Sequence, residues 1–84
     1  MKALIHITLK KGVLDPQGKA IGNALSAAGF NGVENVRQGK YLEIELSEQD
    51  EGKARKQLTD MCEKLLANTV IEDYDIAFEG KAEG

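Results

Sequence analysis

Lys10–Gly18, KKGVLDPQG, joins two segments of different apolar rhythm. Upstream, Ala3, Ile5, Ile7 and Leu9 alternate with Lys2, His6, Thr8 and Lys10. This two-residue period predicts a half-buried strand over Lys2–Leu9. Downstream the spacing widens to three or four residues. Ile21, Leu25 and Ala28 form one helical stripe, with Ala20, Ala24 and Ala27 beside it. Asp15 stands where a helix takes its N-cap, and Pro16 where a helix tolerates a ring. A helix is therefore expected from about Pro16 to Ala28. Gly12 permits the bend that separates strand from helix, and Gly29 supplies a left-handed stop. The small-residue stripe would let the helix lie close to a sheet or to another chain.

After Phe30-Asn31-Gly32, Val33–Gln38 reads as a second strand. Gly39-Lys40 reads as a tight turn into a third, Tyr41–Leu46, where Leu42, Ile44 and Leu46 alternate with Tyr41, Glu43 and Glu45. Ser47 followed by Asp50 resembles a capping box. The second helix is expected to run to about Ala67, with Ala54, Leu58, Met61, Cys62 and Leu65 on its core stripe and Asn68 ending it. Val70–Phe78 reads as the last strand, with Val70, Tyr74, Ile76 and Phe78 on one side. Residues 1–80 are expected to form one α+β domain, and residues 81–84 a flexible tail.

The order β-α-β-β-α-β is the split βαβ pattern of ferredoxin-like domains. Right-handed crossovers would place both helices on one face of a four-stranded antiparallel sheet. The other face would carry Leu4, His6, Thr8, Arg37, Tyr41, Glu43, Glu45, Ile71 and Asp73. Such a sheet, uncovered on one face and open at its edges, is suited to pairing with another chain.

Composition excludes several functions. At 84 residues the chain has room for one core. The formal charge is −3, with Lys and Arg scattered, so the basic stripe of a nucleic-acid binder is missing. The single Cys62 rules out an internal disulfide and suits a reducing compartment. No apolar run approaches the ~20 residues of a membrane span. The start, MKALIHITLKKG, alternates rather than forming a signal core. A soluble, cytoplasmic protein is expected.

Chemistry is hard to find. One His and one Cys on different elements match no metal-ligand spacing. His6 reads as a packing residue and Cys62 as an inert thiol within the helical stripe. Gly12 and Gly18 flank the strand–helix junction without forming a phosphate-binding motif, and Asp15 already places a negative charge at the helix start. Glu43, Glu45, Glu72, Asp73 and Asp75 read as a solvated face rather than as paired acids in a pocket. Arg37 and Lys40 could hold a phosphate or carboxylate, though exposed basic pairs usually serve solubility. Tyr41 alone on the open sheet face is too little for base stacking.

Three segments together resemble a known family: Gly12-Val13-Leu14-Asp15-Pro16-Gln17-Gly18, Val36-Arg37-Gln38-Gly39-Lys40, and Leu65-Leu66-Ala67-Asn68-Thr69-Val70-Ile71-Glu72-Asp73-Tyr74. In this order and at this length they are similar to PurS, the small subunit of phosphoribosylformylglycinamidine synthase. The likeness runs from Lys2 to about Phe78. It departs at Thr69, where many relatives carry Pro, a matter of loop geometry. The resemblance implies a subunit without catalytic residues, cofactor or metal of its own. It would form a homodimer or dimer of dimers and bridge a large synthetase subunit, which binds ATP and magnesium, to a glutaminase subunit that supplies ammonia. Lys11, Leu14 and Asp15 at the junction, Arg37 and Lys40 at the expected hairpin tip, and Asn68, Glu72 and Tyr74 near the last strand are the implied interface residues. Local roles compete: Asp15 as a cap, Asn68 as a helix stop, Tyr74 as core filling.

Two other classes share this strand order. A stand-alone small-molecule-sensing domain would show specific stabilisation by a metabolite such as glutamine or a purine nucleotide. An acylphosphatase-type hydrolase wants an Arg after the first strand, and Lys10–Gly18 has none.

Overall fold

A computed structural model describes residues 1–80; the expected tail, 81–84, lies outside the described residues. The elements are β1 (Lys2–Leu9), α1 (Pro16–Ala27), β2 (Gly39–Glu45), α2 (Glu51–Met61), a π-helical turn (Cys62–Leu66) and β3 (Glu72–Phe78). β1 is the central strand of a three-stranded sheet, ordered β2-β1-β3, and both pairings are antiparallel. Its alternation is the one expected. Ala3, Ile5 and Ile7 are buried, while His6 and Thr8 are exposed on the opposite face.

α2 covers the Ala3–Ile5–Ile7 face with Ala54 and Leu58, and Cys62, Ala67 and Phe78 complete the core. Asp50 caps α2, its side chain accepting from the Lys53 amide at 3.0 Å. The cap is thus one turn later than the Ser47 expected. Past Met61 the helix widens into the π-turn, closed by Ala67 N–H donating to the Cys62 carbonyl at 3.0 Å. That wider turn shifts the phase of the stripe. Leu65, expected in the core, is 83% exposed, while Leu66 is half-buried and Ala67 buried.

Arg55 on α2 closes one side of the sheet. Its guanidinium donates to the Ile76 carbonyl at 3.3 Å and stands 5.1 Å from the centre of the Phe78 ring.

The sheet has three strands, not four. Val33–Gln38 runs without strand pairing, and Gly39-Lys40 is not a turn but the start of β2, paired with Thr8 and Ile7. Glycine is needed at position 39 for a different reason. A Cβ there would run into the Ile7 carbonyl and the Thr8 side chain, so Gly39 lets two strands approach closely.

The two helices also do not share a sheet face. α2 packs on the sheet, whereas α1 has no extensive contact with any strand or with α2. Residues 11–38 form an arm that leaves the sheet after Lys10 and returns at Gly39. The molecule is accordingly long, 48 × 28 × 20 Å, with a radius of gyration of 15.9 Å. A compact chain of this length would have a radius of about 12 Å.

Candidate functional site

The arm is anchored where β1 ends. Lys10 donates its amide to the Ile71 carbonyl at 2.8 Å, and its ammonium meets Asp73 at 2.9 Å. Val13 N–H then turns back to the Lys10 carbonyl at 3.1 Å, with Gly12 at φ 87° making the bend.

Asp15 ties the two legs of the arm together. One carboxylate oxygen accepts from the Gly18 amide at 2.8 Å, capping α1, and the other accepts from the Gln38 amide at 2.9 Å. These bonds, that of Gln38 first, hold the carboxyl below the usual Asp range, and the Arg37 charge adds to them. Gly18 is buried beneath the returning leg, and a Cβ there would collide with the Val36 carbonyl. The cap reading of Asp15 was legible in sequence; its second bond, to Gln38, was not.

A second network gathers three more of the expected residues. Lys40 Nζ reaches the Leu66 carbonyl at 3.4 Å and the Glu72 carboxylate at 3.9 Å. The other Glu72 oxygen accepts from the Asn68 amide at 2.7 Å. Asn68 accepts from the Val70 amide through its side chain, and from Ile71 and Glu72 through its carbonyl. Asn68 therefore folds the loop between the π-turn and β3. Nearby, Tyr74 donates its hydroxyl to Glu63 at 2.7 Å; that bond, aided by partial desolvation, pushes the phenol up to about 12.

Two open cavities connect these groups. One, about 830 Å³, is lined by Lys11, Leu14, Asp15 and Arg37 among others. The other, about 390 Å³, touches Asp15, Lys40 and Glu72. Asp15 lines both. Arg37 and Lys40 do not share a hairpin tip as expected, because that hairpin does not form. Arg37 lies on the free leg of the arm, and Lys40 is committed to β2.

Apart from Leu14, named as an interface residue, and Ile71, placed on the open face, sequence reasoning missed the exposed apolar groups. Leu14, Ile21, Phe30 and Val33 lie along the arm, and Leu65, Val70 and Ile71 lie at its base. Val70, assigned to the last strand, precedes β3 and is 81% exposed. A signal was available in Phe30, which follows the Gly29 stop with no facing stripe of its own.

Among the described residues, no three His, Cys, Asp or Glu side chains are grouped to hold a metal ion. Cys62 is buried, and burial raises its thiol pKa, which keeps it protonated and unreactive. The His6 ring packs against Tyr41, their centres 4.8 Å apart and their planes tilted by 38°. No helix among the described residues is long and apolar enough to cross a membrane. What the arm and its base offer is contact area: apolar side chains and mixed charge on an extended projection.

Known proteins point the same way. The sequence model of the PurS family, described as phosphoribosylformylglycinamidine (FGAM) synthase, matches residues 2–80. The PurS subunit of Methanocaldococcus jannaschii is 46% identical over 78 residues, covering 93% of this chain and 94% of its own. A crystal structure of Bacillus subtilis PurS superposes with a TM-score of 0.82 at 46% identity, covering 93% of this chain and 96% of that one. A chain in the structure of PurLQS from Thermotoga maritima gives a TM-score of 0.85 at 30% identity, covering 92% and 94%. By sequence and by fold, this chain belongs to the PurS family of phosphoribosylformylglycinamidine synthase subunits.

Proposed function

We propose that the chain works as a non-catalytic assembly subunit of phosphoribosylformylglycinamidine synthase in purine biosynthesis. In this reading it associates with itself, as a dimer or a dimer of dimers. It bridges the synthetase and glutaminase subunits so that ammonia passes between them without loss to water. It binds no cofactor or metal; ATP and magnesium belong to the synthetase. Its setting is the cytoplasm.

One observation carries the reading. The arm holds its shape through Asp15 and Gly18 while leaving Leu14 and Phe30 largely, and Ile21 and Val33 partly, exposed to solvent. Apolar groups held out on an ordered projection are what a docking element presents. Lys11, Leu14, Asp15 and Arg37 are placed to contact one partner along the first cavity. Lys40, Asn68, Glu72 and Tyr74 shape the surface at the base.

Reconstitution tests this. Purified synthetase and glutaminase should show glutamine-dependent turnover that needs this chain, while ammonia-dependent turnover by the synthetase should not need it. Arg37→Ala with Lys40→Ala should weaken co-purification with the synthetase and leave the melting temperature nearly unchanged. Glutamine-dependent turnover of equal rate without the chain would overturn the reading.

A further inference from the structure

The two sides of α1 have different surroundings. Ile21 and Leu25 form its apolar stripe. Lys19, Gly22, Asn23 and Ser26 fall about a third of a turn away, at roughly 3.6 residues per turn, and line the larger cavity. A surface that covers Ile21 and Leu25 therefore leaves this cavity open. Gly18 and Gly22 add no side chains to fill it.

The charge around the cavity runs against that of the whole chain. Lys10, Lys11, Lys19 and Arg37 line it, with two acids, Asp15 and Glu34, in a chain of net charge −3. The six are not equivalent. Lys10 is held by Asp73 at 2.9 Å, and both Asp15 oxygens are occupied by backbone amides. Among the described residues, the Lys11, Lys19 and Arg37 side chains make no hydrogen bond or ion pair, though the Arg37 charge is felt at Asp15. On the sheet, by contrast, cations are matched: Lys2 meets Glu43 and Glu79, and Lys40 meets Glu72. Three uncommitted cations, from the junction, the helix and the returning leg, thus share one space with a single uncommitted acid, Glu34.

That imbalance selects a ligand. A phosphate monoester carries about −1.5 to −2 at neutral pH, close to the surplus of two positive charges, whereas a carboxylate carries about half as much. An Arg fork and flanking ammonium groups suit phosphate oxygens. The volume, about 830 Å³, falls within the roughly 300–1,000 Å³ of small-molecule sites. Asn23 and Ser26 on the helix side offer hydrogen bonds to sugar hydroxyls. The helix start plays no part, since Asp15 already takes the Gly18 amide there.

We infer that the cavity between α1 and the legs of the arm binds a phosphate ester of sugar-phosphate or nucleotide size, held by Lys11, Lys19 and Arg37. Arg37, which the sequence sets beside Lys40 as an anion-holding pair, finds its cationic partners across the arm instead. The inference goes beyond the assembly reading and leaves it standing: Leu14, which lines the cavity and is 73% exposed, stays open to a partner.

Titration calorimetry and amide NMR on the full chain at low salt test it. Inorganic phosphate, ribose phosphate and AMP are the probes, with ribose and adenosine as uncharged controls. The phosphates should saturate by tens of millimolar and shift amides of residues 11–19 and 33–37, while the controls should not bind. Equal affinity for the three phosphates would place recognition in the phosphate, and tighter binding of AMP would extend it to the nucleoside; either supports the site. Acetate should bind several-fold more weakly. Lys19→Gln and Arg37→Gln should each weaken phosphate binding about threefold or more, whereas Lys56→Gln on α2 should leave it unchanged. No saturation by any phosphate, shifts spread over all lysines, or an equal loss in Lys56→Gln would overturn the inference. Binding is read on this chain alone, so its failure leaves the assembly reading untouched. Glutamine-dependent turnover of equal rate without the chain would sink that reading and leave the binding result standing.

Discussion

The sheet with α2 and the arm with α1 are built from similar residues and end in opposite conditions. In the first, Ile5, Ile7, Leu58 and Cys62 are sealed, and no buried side-chain polar atom among the described residues lacks a partner. In the second, Gly18 is the only buried helical residue, and Ile21 and Phe30 face solvent. Both helices have a side-chain cap. Capping therefore starts a helix in either setting, while tertiary burial decides whether it becomes part of a core. The arm owes its order to the Asp15 carboxylate bonds and the close approach at Gly18, and the sheet owes its order to packing.

This contrast can be broken by mutation. Leu58→Ala should cost about 2–5 kcal/mol in urea unfolding, because the site cannot collapse around the void. Leu25→Ala, measured dilute enough to keep copies apart, should cost under about 1 kcal/mol. Equal losses would mean that α1 packs on its own sheet. Gly18→Val should act the other way. It should splay the legs of the arm against the Val36 carbonyl and strip amide protection from α1, while sheet amides keep theirs.

Two titrations sharpen the comparison further. The Asp15 carboxyl is lowered from 3.8 by the Gln38 and Gly18 amides. Its contribution to the arm is therefore complete above pH 3.8 and fades as pH falls through the lower folded value. Exchange of the Gly18 and Gln38 amides against pH checks this, with Asp15→Asn removing the dependence. On the sheet side, Tyr74 is raised from 10.0 to about 12 by its bond to Glu63. Its contribution is complete below pH 10.0 and is lost between there and about 12. Ultraviolet titration of Tyr74→Phe against the parent should lose the late phase. The smallest effect belongs to Lys40→Ala, under about 1 kcal/mol, since Lys40 is itself exposed and stands 3.9 Å from Glu72.

The strand β1, the α2 stripe through Cys62 and the Asp15 cap were legible because each depends on neighbours in sequence. Gly39 misled because a glycine between alternating segments signals a turn equally well as a close strand approach, and only the position of Ile7 distinguishes them. Leu65 misled because a π-turn leaves no trace in apolar spacing. The residues expected at interfaces were named one at a time, yet the Lys40–Glu72–Asn68 network joins residues up to 32 apart in the chain, and no local pattern announces it. The split of Arg37 from Lys40 followed from the same misread turn.

Arg55 has a further consequence. Seated over the Ile76 carbonyl and the Phe78 ring, it obstructs growth of the sheet beyond β3. A sheet that accepts a neighbour on one flank alone can be finished but not extended. An assembly that added strands only at the β2 flank would close on itself rather than stack open-endedly.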